Sequence, residues 1–240
     1  AAAARDAWRE QWEEALRLEN WGSVPVLLSF PWADPTGDPT VNGVTCRGLA
    51  AAVKADAVDA VRAMVRAGAD VDTLALGGIT PLMFCAREGR GRCLAALLEG
   101  APNLGAVSRH KRWTALSFAA FGGGPGKAAR PGISWGITPP QAVDTGGIVK
   151  DQPELVELLV GAGAPLEPRN ADGRTPLFLA CAEGNHRAAA VLLGAGADPT
   201  ARDRDGRGPL WWARENGHRA VVTLLEAHAE EKGSGETPRS

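Results

Sequence analysis

The sequence predicts an all-α protein built as a stack of helical repeats, and three observations carry that reading. First, two segments, DGRTPLFLACAEGNHRAAAVLLGAGADP from Asp172 and DGRGPLWWARENGHRAVVTLLEAHA from Asp205, are copies of one unit. Thr175-Pro176-Leu177 aligns with Gly208-Pro209-Leu210, Ala180 with Ala213, Gly184 with Gly217 and Leu192 with Leu225, each 33 residues apart. A fixed period of this length marks a repeat architecture. Second, each unit carries start and stop signals for a helix. A threonine suits an N-cap, a proline the first helical position, and a glycine the left-handed turn that ends the helix. Third, the chain has 240 residues and is 45% hydrophobic but only 5% aromatic, with no Tyr, so its core must be made mainly of Leu, Val and Ala. Helices with small side chains pack closely with such a palette.

In chain order, the N-terminal segment DAWREQWEEALRLENWGSVPVLL places Trp8, Trp12 and Leu16 on one helix face. Residues 1–40 are read as a degenerate capping repeat followed by a loop with prolines at 31, 35 and 39. Repeats are predicted over 41–231. The first, over 47–72, has Arg47-Gly48-Leu49 in place of Thr-Pro-Leu and keeps Gly68-Ala69-Asp70 at its end. The next opens at Thr80-Pro81-Leu82 and reaches Leu97-Leu98, and another opens at Thr114. Thr114 and Thr175 are 61 residues apart, so about 28 residues are extra between AAFG and PELVELLVGAGA. This insertion, about 122–152, is rich in Gly and Pro, yet it carries Ile133, Trp135, Ile137 and Val143. A loop of that length is usually functional or disordered. Residues 232–240 are expected to form a disordered tail.

The motif T-P-L followed by an Ala slot, a Gly turn and a second amphipathic helix resembles the ankyrin-repeat family, over roughly residues 41 to 231. The resemblance implies a solenoid of about five to six helix-turn-helix repeats with one long inter-helix insertion. The family's signature histidine, fourth in T-P-L-H, is replaced here by Met83, Ser117, Phe178 and Trp211. Since that histidine knits neighbouring repeats by hydrogen bonds, apolar packing is expected to take its place. The resemblance also implies a non-enzymatic scaffold that binds a protein partner through hairpin tips and a concave groove. Carried over by position, the partner-binding residues are Arg109, His110, Lys111, Arg112, Trp113, Arg174, Arg204, Arg207 and Trp211, joined by Trp135 of the insertion. The predominance of cations along this edge suits a partner with an acidic segment. Trp113 is placed in an exposed turn, or else against the insertion. Trp212 is placed in the core. A second reading is a permanent structural subunit, with the Trp-bearing N-terminal helix and the insertion as anchors.

Competing chemistries are poorly supported. The stretch GGGPGKAA, Gly122 to Ala129, looks like a phosphate loop, but Phe121 stands where the first glycine belongs and Ala128 where the hydroxyl belongs. Neither a catalytic constellation nor a cofactor is expected, and no metal site, because Cys46, Cys85, Cys93 and Cys181 lack C-x-x-C or histidine spacing. The net charge of -2 gives no reason to expect nucleic acid. No apolar run approaches the roughly 20 residues of a membrane span. An intracellular setting is expected, cytoplasmic by default or organellar after cleavage of a targeting peptide. Oligomeric state is left open.

Overall fold

The computed structural model describes residues 2–24, 48–74, 77–122 and 151–234, and every regular element among them is helical. The chain divides into two compact units, Ala1–Cys85 with Arg90–Ala106, and Ala86–Gly89 with Val107–Ser240.

The first unit contains α1 (Ala2–Arg17), a short 3-10 turn (Trp21–Ser23), α2 (48–54), α3 (Val58–Arg66), all but the last turn of α4 (Pro81–Glu88), and α5 (Gly91–Leu98). On α1, Trp8 and Trp12 are four residues apart and therefore on one face, where both are buried with their rings stacked at 5.6 Å. These rings are part of a core, so an anchor on this helix, as in the structural-subunit reading, would have to use its other side chains. On α3, Ala60, Val61, Met64 and Val65 form the buried stripe, and the helix packs against α5 and the 3-10 turn.

The second unit contains α6 (Ala115–Phe121), α7 (Pro153–Gly161), α8 (Pro176–Glu183), α9 (His186–Gly194), α10 (Pro209–Glu215) and α11 (Arg219–Ser234). The first helices α6, α8 and α10 pack side by side in that order, the second helices α7, α9 and α11 do the same, and each pair packs internally. No helix can bury its apolar side alone, so the row makes one core. The helix starts follow the sequence signals. Thr80, Thr114 and Thr175 accept from the backbone N–H three residues on, of Met83, Ser117 and Phe178, at 3.2, 3.2 and 3.3 Å. Helix α11 runs through Ser234, past the boundary expected at 231, because Glu230, Glu231 and Lys232 are good helix formers. Residues 235–240, the rest of the expected tail, lie outside the described residues.

Neighbouring repeats are tied by polar bonds where apolar packing was expected. Asn185 Nδ2 donates to Ala120 O and Phe121 O at 2.9 and 2.7 Å, at the C-terminal end of α6. One repeat later, Asn216 Nδ2 at 2.7 Å and His218 Nε2 at 3.0 Å meet Ala182 O. In the first unit, Arg90 Nη1 bonds Val53 O, and Lys54 O at 2.7 Å. Arg90, Asn185 and His218 each follow a left-handed glycine: Gly89, Gly184 and Gly217. The residue after that glycine reaches back to carbonyls that the end of a helix leaves unpaired.

Of the expected insertion, about 122–152, residues 123–150 lie outside the described residues, and so does the phosphate-loop-like stretch after Gly122. Its point of return is held in the repeat stack. Asp151 accepts from the N–H groups of Arg187 and Ala188 at 2.8 and 3.0 Å, capping α9 from the neighbouring repeat. Replacing residues 124–150 by a Gly-Asn turn while retaining Asp151 is therefore expected to leave a folded helical protein with a similar melting midpoint. Circular dichroism melting checks this, and loss of the cooperative transition would show that the segment supplies core.

Candidate functional site

Three turns in the second unit join a second helix to the next first helix, around residues 108–113, 170–174 and 203–207. Each is shaped by a side chain at its start. Asn170 Oδ1 accepts from the N–H groups of Asp172 and Arg174, both at 2.9 Å. Asp203 Oδ1 accepts from Asp205 and Arg207 at 3.0 and 2.9 Å. In the first turn, Ser108 Oγ accepts from Trp113 N at 2.9 Å. Main-chain bonds link the turns in a row, Ala171 N to Lys111 O at 2.9 Å and Arg204 N to Asp172 O at 3.1 Å. Gly173 and Gly206 take the left-handed conformation at φ 79° and 76°, and Arg112 takes it at the matching place with φ 54°. A non-glycine there costs about 1–2 kcal/mol.

The basic side chains divide into those used inside the molecule and those that face solvent. Arg174 is used internally, its side chain only 14% exposed. Its guanidinium lies 4.6 Å from the Trp212 ring and 5.3 Å from the Phe178 ring, and Nε is 3.7 Å from Asp203 Oδ2. Asp203 Oδ2 also accepts from Trp212 Nε1 at 3.1 Å. Trp212, expected in the core, is half-buried in this stack. Arg169 Nη1 donates to Gly173 O and Arg202 O at 3.1 and 2.7 Å, and Arg202 Nη1 donates to Gly206 O at 3.2 Å. By contrast, Arg109, His110, Arg112 and Arg204 are exposed and Lys111 is half-buried. Among the described residues, no carboxylate pairs with any of the five.

Trp211 remains 42% exposed. Arg207 lies 4.5 Å over its ring and is paired with Asp205 at 3.8 Å, while Trp212 meets it edge-on at 5.2 Å. Trp113 corrects the expectation of an exposed turn residue: it is 4% exposed, with Phe118 and Phe121 at 5.1 and 5.3 Å between ring centroids. It directly precedes the Thr114 N-cap, and an apolar residue there packs against the fourth helical residue, here Phe118, as a hydrophobic staple. Trp135 lies outside the described residues. The insertion leaves from Gly122, at the opposite end of α6 from the turn bearing Arg112.

Cys85, Cys93 and Cys181 are buried free thiols. The hydrogen bond to Cys93, followed by burial, pushes the Cys85 thiol up, and burial pushes Cys181 up to about 12. Thiols so placed stay protonated and are poor nucleophiles. Among the described residues, no group of three or more His, Cys, Asp or Glu side chains could hold a metal ion. No described helix is long and apolar enough to cross a membrane.

Sequence models of the ankyrin repeats match the chain twice, as three copies over residues 147–234 and as a single repeat over 77–108. The chain belongs to the ankyrin-repeat family. No curated protein matches it significantly. The matched ranges contain the turns around Asn170 and Asp203 and the helices α4, α5 and α7 to α11. Ankyrin repeats generally mediate protein–protein interaction, and the family is typically non-enzymatic. The sequence left unread the internal set Arg174, Asp203 and Trp212, although the Asn or Asp at the start of the second and third turns was a usable signal.

Proposed function

We propose that this ankyrin-repeat chain binds a protein partner through the row of turns and the adjoining face of α10, and that the partner presents an acidic segment. The observation that carries this reading is the set of cations that no carboxylate pairs with among the described residues, Arg109, Lys111, Arg112 and Arg204, beside Arg169, Arg174 and Arg202, which are used within the molecule. Unpaired cations in a row raise the local concentration of an anionic partner and orient it. The left-handed Arg112 supports the same reading, since strain of this kind persists where a side chain serves a purpose other than stability. A reducing, intracellular setting is proposed with it, supported by the three buried free thiols.

Arg112→Gly tests the reading with two readouts that move in opposite directions. Removing the left-handed penalty of about 1–2 kcal/mol is partly offset by about 0.4–1 kcal/mol of added freedom in the unfolded chain. The folded protein is expected to gain about 0.5–1 kcal/mol in urea unfolding. Affinity for an acidic polypeptide such as poly-glutamate is expected to fall about two- to fivefold, the worth of one exposed charge pair. A gain in stability with unchanged affinity would remove this turn from the interface.

A further inference from the structure

Free charge lies at both ends of the row of turns, and the exposed aromatic surface at one of them. The first turn offers Arg109, Lys111 and Arg112, none paired with a carboxylate among the described residues. The third turn offers Arg204, and the helix that follows it, α10, offers the 42% exposed Trp211 with Arg207 of the turn stacked at 4.5 Å. Between them, the middle turn contributes no free cation, because Arg174 is held by Asp203, Phe178 and Trp212 and Arg169 by backbone carbonyls. A uniformly acidic ligand would therefore meet two attractive regions with a neutral gap.

The width of the gap follows from the helices beneath. Helix α6 starts after the first turn and α10 after the third, with α8 packed between them. Packed helices lie about 8–10 Å apart, so two steps span about 16–20 Å. An extended strand rises about 3.3 Å per residue and crosses that distance in about five or six residues. Resting on the function proposed above, we infer that the partner is an extended segment with two anchors at this spacing. A cluster of carboxylates meets Arg109, Lys111 and Arg112, and a carboxylate beside an aromatic side chain meets Arg204 and Trp211. An aromatic ring covers the free face of Trp211 while its neighbouring carboxylate reaches the guanidinium of Arg204, which polyanions without rings cannot do as well.

The test uses the full chain and fluorescein-labelled peptides carrying Glu-Glu-Glu and Glu-Phe in either order, joined by Gly-Ser spacers of about two, about five and about ten residues. A Glu-Glu-Glu peptide without the second anchor is the reference, and fluorescence anisotropy reads the affinity. The spacer of about five residues is expected to bind about tenfold tighter than the reference, with the others near it. Trp211→Ala and, separately, Arg204→Ser are expected to cancel that advantage, so that each variant binds the peptide with the spacer of about five residues no tighter than it binds the reference. Both side chains are exposed, and circular dichroism confirms the fold of each variant. Spacer-independent binding, or an advantage that survives both substitutions, would overturn the two-anchor inference while leaving the acidic-partner reading standing. Failure of every peptide to bind would overturn both, as would a short RNA that binds tighter than the best peptide.

Discussion

Gly184→Ala is expected to lower the unfolding free energy by about 2–5 kcal/mol, from two separate costs. Gly184 ends α8 with φ 78°, where an L side chain is disfavoured by about 1–2 kcal/mol. A Cβ would also lie 2.6 Å from His218 Nδ1 and 2.8 Å from Cγ and Cε1. That ring has little room to retreat, because His218 Nε2 is 3.0 Å from Ala182 O and its backbone N–H donates to Ala213 O at 2.8 Å. Forcing a methyl group into such a contact costs about 1–3 kcal/mol more. Gly196→Ala separates the terms, since Gly196 has φ 94° but no atom within 4 Å of the added Cβ. Its expected loss is the conformational cost alone, about 1–2 kcal/mol. Urea titration of both variants measures the difference, and equal losses would mean that the His218 ring yields freely.

Much of this architecture was legible because its causes are local. A Thr-Pro pair opens a helix through an oxygen that accepts from the amide three residues on, and Thr175 does so to Phe178. Gly184 and Gly217 read directly as left-handed helix ends. The interaction surface was less legible, because whether a charge is free depends on what a neighbouring repeat brings to it. Arg174 and Arg204 look alike in sequence. Arg174, however, is enclosed by Trp212 and Asp203 from the following repeat, whereas Arg204 faces solvent. Trp113 was misplaced for a related reason: its turn position suggested exposure, but the Phe118 of the next helical turn supplies its cover. Arg112 shows the opposite case, where the repeat register alone reveals a strained residue, since its equivalents are Gly173 and Gly206.

The polar tie between repeats was the element furthest from view, and Asn185→Ala probes it. The missing signature histidine suggested that apolar contacts had replaced hydrogen bonds, yet the bonds come from a different position, one residue after the helix-ending glycine. Asn185 is buried and donates to both Ala120 O and Phe121 O, at 2.9 and 2.7 Å. Truncation to Ala removes both donors and leaves the two carbonyls at the end of α6 without these partners. A buried polar group deprived of its partner costs about 1–3 kcal/mol, so an overall loss of about 2–3 kcal/mol is expected in urea unfolding. Asn185→Asp keeps the shape but directs only acceptors at the carbonyls, so its loss should be at least as large at neutral pH. Asn185→His should recover part of the stability, because His218 performs this task one repeat later against Ala182 O. Hydrogen exchange at α6 localises the effect: faster exchange of its last amides is expected in the Ala and Asp variants. If Ala and Asp both unfold like the parent, the bonds from Asn185 contribute nothing net and packing alone joins these repeats.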